Sequence, residues 1–260
     1  MISGVVGWPA VIASLAIVVV ALVLARWIGL SLEREILGAS LRAAVQLLAV
    51  GGLFVAIFGS DSAPLWAWSW LVVMTAVGTW TVTRRARFRL PMLSVVATAA
   101  ILGSALVSLA ITFGLGVIEY TPVSLVVIAG ITIGNAVPST ALAVNQSVNL
   151  CRDRMGEVEA LLALGCDRRQ VVRFIAPQAA HAALIPQIDR TKVVGLIALP
   201  GALTGLLLAG ADPVDAVVVQ LLVMYLILGA TTICVVAGVT AVSRQVVTDG
   251  LVVAGWARPG

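Results

Sequence analysis

Few side chains in this sequence are of the types that catalyse reactions or bind metals, and none has the spacing that such chemistry needs. The single histidine, His181, has no second ligand at metal-binding spacing, and Cys151, Cys166 and Cys234 stand far apart. No Ser/His/Asp set, HExxH motif or pair of carboxylates lies within the apolar segments. We therefore expect no enzyme active site, no metal site and no cofactor in this chain.

The remaining candidates are amide side chains embedded in apolar sequence, where polar groups are costly and often functional. In the stretch GITIGNAVPST, Gly130 and Gly134 form a GxxxG pair that suits close helix approach. Pro138 leaves the carbonyl of Gly134 without its helical donor, which predicts a kink with exposed polar backbone beside Asn135. This position suits a substrate site or a gate, and the alternative is that Asn135 only bridges two helices. Gln46 is a second candidate of this kind.

A second unusual pattern is the stretch LPGALTGLLLAG. Gly201 and Gly205 lie four residues apart on one helical ridge, which suits close packing, a dimer interface or a pore. Pro200 is expected to kink the helix, and Thr204 carries the only hydroxyl near its centre. The residues predicted for a pore or gate are therefore Gln46, Gly134, Asn135, Pro138, Pro200, Gly201, Thr204 and Gly205.

A charged amphipathic stretch, EVEALLALGCDRRQVVRF at 157–174, differs sharply from its apolar surroundings. Val158, Leu161 and Leu162 recur at helical spacing and form one apolar stripe. Gly165 suits the left-handed end of that helix. The stretch therefore predicts a helical hairpin with a glycine turn.

The second helix of this hairpin has its own start signal. Asp167 is a predicted N-cap, Gln170 is placed to complete a capping box, and Pro177 is expected to kink or end the helix. A solvated connector would explain the charges. However, the connector between flanking apolar runs, 149–192, exceeds 40 residues, whereas most connections have about 4–6, which favours a docking role.

Membrane-spanning helices must position these candidates. The 260 residues are 61% hydrophobic and 11% charged, whereas soluble domains are about 45–50% apolar and about 25% charged. A span needs about 20 apolar residues. The sequence predicts an all-α membrane protein with one transmembrane domain over 1–260. Its seven predicted helices lie at roughly 9–28, 41–58, 65–83, 91–113, 122–148, 193–211 and 215–242.

The distribution of charge predicts the orientation. In the seven-span arrangement all 16 Lys and Arg residues fall on one side. The other side carries only acids, which are Asp61, Glu119, Asp212 and Asp215. By the positive-inside rule, the N-terminus lies outside, and the C-terminus and the 149–192 loop are cytoplasmic. The first residues carry no Lys or Arg, so the first run is expected to remain a span rather than a cleaved signal peptide.

The motif EALLALG (159–165), followed by Ile175 and Pro177, resembles the EAA loop of ABC-transporter permeases, which forms a coupling helix. Over nearly its whole length the chain also resembles the FetB/YbbM family of ABC permeases. The matching stretches are LRAAVQLLAVG (41–51), YTP (120–122), IAGITIGNA (128–136), LIP (184–186) and VVGLIALPGALTGLLLAGADPVDA (193–216).

This resemblance implies a homodimeric permease with an outside N-terminus and a separate FetA-type ATPase subunit. Bacterial members are linked to iron export and plant relatives to aluminium tolerance, so the implied function is iron export across a bacterial inner membrane. The partner would bind ATP and Mg, because the chain has no Walker A motif, and no nucleic-acid partner is expected. The residues expected to couple to the ATPase are Glu157, Glu159, Leu161, Leu162, Gly165, Arg168 and Arg169.

Iron as the substrate follows from the resemblance alone, because no predicted span buries an acid that would bind it. A chelated metal or a small organic metabolite would suit the spans equally well. Two other functions stay open, a stand-alone secondary transporter or channel and a membrane-embedded enzyme. The lack of an intramembrane acid for proton coupling, and of an obvious inverted repeat, counts against the first. The lack of a catalytic set counts against the second.

Overall fold

The structure is a computed structural model that describes residues 8–29, 31–59, 62–86, 88, 90, 92–248 and 250–255. These residues are almost entirely helical. The helices are α1 (Trp8–Ile28), α2 (Glu33–Phe58), α3 (Ala63–Arg85), α4 (Leu93–Gly114), α5 (Pro122–Asp153), α6 (Met155–Ala163), α7 (Arg168–Val193), α8 (Gly201–Leu208) and α9 (Pro213–Val246). Of the residues used to predict the orientation, those outside the described ranges are Asp61, Arg87, Arg89 and Arg258.

Five helices of the described chain are long and apolar enough to cross a membrane. They are the Glu33–Val55 part of α2 and all of α3, α4, α5 and α9, and α1 adds a shorter apolar stretch, Ile12–Ile28. Outward-facing side chains on these helices are also apolar, since Leu47 and Val55 of α2 are 74% and 79% exposed. Such a surface suits lipid. The chain is therefore an all-α, multi-pass membrane protein, as its sequence predicted.

The centre of the bundle is the pair α5 and α9, around which α3, α4 and α7 pack. Small residues permit this close approach, because Ala129, Ala136 and Ala143 of α5 recur every seven residues and are fully buried. Most buried hydroxyls donate to a carbonyl of their own helix, as Thr140 does to that of Ala136 at 2.8 Å. The hydroxyls of Thr231 and Ser243 on α9 are the exceptions among the described residues, because they are buried without a hydrogen-bond partner. α2 lies at the edge, and its apolar segment is not buried within the chain.

The interval predicted as the sixth span, 193–211, is not a continuous helix. α7 ends at Val193, residues 194–200 are not helical, and α8 has only eight residues. Gly195 has a φ of +88°, a conformation that favours glycine. Pro200 has an extended backbone and is the N-cap of α8. The apolar run thus contains a break, and Pro200 begins a helix instead of kinking one.

α7 is the largest departure from the prediction, which placed its residues in a connecting loop. It is a 26-residue helix that continues through Pro177 and Pro186. The expectation that Pro177 could end this helix is therefore wrong. Both prolines are exposed, so their rings do not disturb a packed interface and the helix tolerates the two lost hydrogen bonds.

The buried face of α7 packs antiparallel along α9. Near its start, Ile175 belongs to one buried cluster with Val246, at the end of α9. About two turns later, Ala183 belongs to a second cluster with Val235 and Val239. The alanines of α7 allow a close approach, and the helix is therefore an integral part of the bundle.

The end of α7 lies beside the middle of α5, although Asp189, Arg190 and Lys192 there are exposed. Arg190, near its last turn, contacts Asn135 in the interior of α5. Asn135 lies 18 residues before Asp153, the last residue of α5, which is about 27 Å at 1.5 Å per residue. A residue that the sequence assigned to a loop therefore lies beside the middle part of a membrane helix.

Ala183→Leu is expected to lower stability, because Ala183 is fully buried in the cluster between α5, α7 and α9. Overpacking of this kind costs about 1–3 kcal/mol, so the apparent melting temperature of the detergent-purified protein should fall. Ala163→Leu, at the exposed end of α6, is the matched control and should leave the melting temperature unchanged. Equal shifts in both variants would contradict the packing of α7.

Candidate functional site at the break between α7 and α8

A cavity of about 370 Å³ lies where α7 ends, between α5, α9 and the break at 194–200. Its polar lining residues are Asn135, Gln187, Arg190, Thr191 and Gln220. The rest of the lining is Val194, Ala198, Pro200, Gly201, Met224 and Ile227. The volume lies within the range of small-molecule sites, about 300–1,000 Å³. We name this space the break cavity.

Arg190 is the charged group of the break cavity. Its Nη1 donates to Oδ1 of Asn135 at 3.3 Å, and Nδ2 of Asn135 donates to the carbonyl of Ile131 at 2.8 Å. The neighbouring Asp189 and Lys192 pair with each other at 3.1 Å. Within the described ranges, no carboxylate lies at ion-pair distance from Arg190. The cavity thus presents a positive charge that this part of the chain does not neutralise.

Two glutamines of the break cavity, Gln187 and Gln220, are more than nine-tenths buried. Oε1 of Gln220 accepts a hydrogen bond from the backbone N–H of Leu203 at 3.2 Å. Leu203 lies in the first turn of α8, whose N-cap, Pro200, offers no side-chain acceptor, so Gln220 caps α8 from α9. The side-chain amide of Gln187 makes no hydrogen bond to any described residue, and it is therefore available to a ligand.

The predicted pore residues on α8 fall partly at this cavity. Pro200 and Gly201 line it together with Asn135, whereas Thr204 and Gly205 lie further along α8 and do not. Thr204 donates to the carbonyl of Pro200 at 3.2 Å. Both glycines face open space, so the close packing expected of them is not found within one chain.

The other predicted pore residues, Gln46, Gly134 and Pro138, line a separate cavity of about 510 Å³ between α2, α3 and α5. α5 is continuous through Pro138, so no helix break accompanies this proline. A Cβ at Gly130 would lie 3.5 Å from the Met74 side chain, whereas Gly134 faces open space. Six of the eight predicted pore residues therefore line two different cavities, and Thr204 and Gly205 line neither of these.

The turn between α6 and α7 has the local geometry that the sequence predicted. Gly165 has a φ of +83°. Asp167 and Gln170 form a complete capping box, in which the backbone N–H of each residue donates to the other's side chain, at 2.7 and 2.8 Å. The start of α7 is therefore held by two reciprocal hydrogen bonds.

The apolar side of the predicted coupling hairpin is anchored on the bundle. Val158 is fully buried in a cluster with Ile175 and Val246, and Leu162 packs against that cluster. Leu161 is half-buried, while Leu164 is 82% exposed. The charged residues on the outward side are Glu157, Glu159 and Arg169. One side of the hairpin is therefore packed against the bundle, and its charged side is exposed.

A basic surface lies beside this hairpin. Arg168 and Arg169 line a cavity of about 760 Å³ together with Arg173 and, from the end of α9, Arg244. The two arginines predicted to couple to an ATPase are therefore part of a larger positively charged surface. Such a surface suits an acidic partner.

No group of three His, Cys, Asp or Glu side chains in the described part of the chain could hold a metal ion. His181 is exposed, and Cys151, Cys166 and Cys234 are free thiols. The described residues therefore offer binding by a guanidinium and by amides, and they offer no cluster of metal ligands.

The profile described as "Uncharacterised protein family (UPF0014)" matches residues 8–247. The chain belongs to this family. UPF0014 membrane protein STAR2 of Oryza sativa subsp. japonica is 36% identical over 222 residues, which cover 85% of this chain and 77% of the relative. Protein ALUMINUM SENSITIVE 3 of Arabidopsis thaliana is 33% identical over 225 residues, or 85% and 80% of the two chains.

A third relative of this UPF0014 member is Probable iron export permease protein FetB of Escherichia coli (strain K12). It is 31% identical over 220 residues, which cover 85% of this chain and 84% of the relative. These similarities confirm the family resemblance that the sequence motifs indicated. No solved structure matches the chain significantly.

Gln187 and Arg190 of this UPF0014 member are not among the predicted site residues, because the hydropathy pattern predicts that both lie in a cytoplasmic loop. The sequence contains one feature that indicates a packed helix in this region. Ala179 and Ala183 are small residues four apart, a spacing typical of a closely packed helix face. Extending that face by one further turn leads to Gln187, and Arg190 follows three residues later.

Gln220→Leu is expected to loosen α8, because it removes the acceptor for the N–H of Leu203. An unsatisfied buried donor costs about 1–3 kcal/mol, so hydrogen exchange at the Leu203 amide should accelerate. Gln178→Leu, on the exposed side of α7, is the control and should leave that exchange unchanged. Unaltered exchange in Gln220→Leu would show that Gln220 does not cap α8.

Proposed function

We propose that this UPF0014 member is the permease subunit of an ABC transporter that exports iron, driven by a separate FetA-type ATPase docked on residues 157–174. The observation that carries the proposal is the similarity, over 85% of the chain, to a protein named Probable iron export permease protein FetB. ATP and Mg would bind to the partner, because this chain has no Walker A motif.

In this proposal the chain crosses a bacterial inner membrane seven times. The crossings are α1 to α5, the broken unit of α7 and α8, and α9, with the N-terminus outside and the C-terminus and hairpin in the cytoplasm. Arg190 and Lys192 lie on the last turn of α7 and not in a connecting loop. The other basic residues keep the one-sided distribution on which the orientation depends.

The complete transporter would contain two copies of this chain and two ATPase subunits. The open space beside Gly201 and Gly205 suits the close approach of a second copy, because a Cβ added at either glycine would meet no described atom within 4 Å. Membrane helices associate through such small residues without a hydrophobic driving force.

The hairpin would transmit the movement of the ATPase to the break cavity. Its inner residues, Val158 and Leu162, are anchored on the bundle, while Glu159 and Leu164 face outward. α7 continues without interruption from this hairpin to Arg190. A shift of the hairpin would therefore move α7 as a rigid element and alter the cavity at its far end.

A membrane-impermeant maleimide is expected to label Cys166 from the cytoplasmic side only. Cys166 is partly exposed in the turn between α6 and α7, whereas Cys151 and Cys234 are buried. Labelling should occur in inside-out vesicles, be absent from right-side-out vesicles, and disappear in Cys166→Ser. Glu119→Cys, between α4 and α5, should react only from the opposite side. Labelling of Cys166 from outside would reverse the proposed orientation.

Glu159→Arg and Gly165→Pro are expected to prevent co-purification of the candidate ATPase. The first reverses an exposed charge on α6, and the second places proline, whose φ is about −65°, where the backbone has a φ of +83°. Glu119→Arg is the matched charge-reversal control and should retain the ATPase.

Vesicles with the wild-type complex should then show ATP-dependent iron flux. If the ATPase does not bind even the wild-type chain, the proposal fails. Iron movement by the isolated chain without ATP would instead favour a stand-alone secondary transporter or channel.

A further inference from the structure

We infer that the break cavity binds a small solute through a carboxylate or phosphate group, so that the transported species is an anion. Iron would pass as an anionic complex with such a ligand rather than as a bare cation. This inference rests on the proposed function, because it names the class of substrate for the same transporter.

The charge of the lining is the first reason. Arg190 is the one charged residue among the described residues that line the break cavity, and no described carboxylate pairs with it. A guanidinium is permanently charged in proteins and matches the two oxygens of a carboxylate or phosphate. It attracts such a group and repels a bare metal cation. The described lining also lacks the His, Cys, Asp and Glu side chains that bind iron.

The position of Arg190 is the second reason. It contacts Asn135 about 27 Å from the end of α5, beside the interior of a helix that is apolar enough to cross a membrane. Arg190 is exposed within the single chain, and a charged residue beside a membrane-spanning helix usually faces a cavity that serves transport or binding. The single hydrogen bond to Asn135 orients the guanidinium and leaves its other N–H donors available to a ligand.

Gln187 provides an independent observation. It is only 8% exposed, it lines the break cavity, and its side-chain amide has no partner among the described residues. Its amide atoms are open to the cavity rather than fully buried, so Nε2 can donate to an oxyanion bound there. Gln187 and Arg190 lie three residues apart, so they share one face of α7. Two donors therefore converge on the same space.

The test is equilibrium binding to the full-length purified chain in lipid nanodiscs. The probes are radiolabelled citrate, ferric citrate, inorganic phosphate and Fe²⁺ without a chelator. We expect saturable binding of citrate or phosphate, at least tenfold weaker in Arg190→Gln and several-fold weaker in Gln187→Leu. Arg190→Lys keeps the charge and should retain part of the affinity. Arg173→Gln, an exposed arginine near the start of α7, is the matched control.

Comparison of citrate binding with phosphate binding shows whether the ligand group is a carboxylate or a phosphate. Preference for citrate identifies a carboxylate ligand, and preference for phosphate identifies a phosphorylated one. Tighter binding of ferric citrate than of citrate alone would show that iron enters with its ligand. The inference is overturned if neither oxyanion binds, or if Arg190→Gln binds as well as wild type. It is also overturned if only Arg173→Gln loses binding, because the anion would then bind to the basic surface beside the hairpin.

Failure of this inference is separable from failure of the proposed function. If neither oxyanion binds while the ATPase co-purifies and drives flux of Fe²⁺, the proposed transporter is supported and the anionic substrate is contradicted. If the oxyanion binds through Arg190 but no ATPase associates with the chain, the anionic substrate class is supported and the proposed ABC transporter is contradicted. Size-exclusion profiles of Arg190→Gln and Arg190→Lys show whether each variant is folded before binding is measured.

Discussion

The close contact of α7 with α5 and α9 is the interaction on which the rest of the structure depends. Alanines on α7 let a helix with charged residues at both ends approach two strongly apolar helices. A larger side chain at Ala183 would push α7 away and separate Arg190 from Asn135. Because membrane helices gain little from the hydrophobic effect in lipid, such packing between small residues is what holds this helix in place.

This packing leaves an irregular segment, 194–200, beside the bundle, with Leu196 and Ile197 exposed and Val194, Ala198 and Pro200 lining the break cavity. Irregular backbone at membrane depth is tolerated where it is covered by protein or lines a water-filled cavity. Val194, Ala198 and Pro200 of the break line such a cavity, and Gln220 of α9 accepts from the first turn of α8 that follows. The same arrangement is used by transporters whose broken helices form a site near the middle of the bilayer.

The hairpin and the break cavity lie at the two ends of one helix. The capping box fixes the start of α7, and the packing along α9 keeps the helix straight enough to reach Asn135. The hairpin and the polar cavity are thereby connected through 26 residues of continuous helix. This geometry gives a physical route by which a partner at one end could change the cavity at the other.

The sequence by itself determined the helical membrane class, the family and several local features. Predicted spans at 9–28, 65–83 and 122–148 correspond to α1, α3 and α5, and the box of Asp167 and Gln170 is present. These features depend on hydropathy and on hydrogen bonds between residues close in sequence, so local patterns are sufficient to predict them. Only the tertiary structure decided that α7 is packed in the bundle, that 193–211 is broken, and that Arg190 lies beside Asn135. Those outcomes depend on whether the surfaces of α5 and α9 fit an alanine-lined helix, and residues 55 positions apart carry no local signal of that fit.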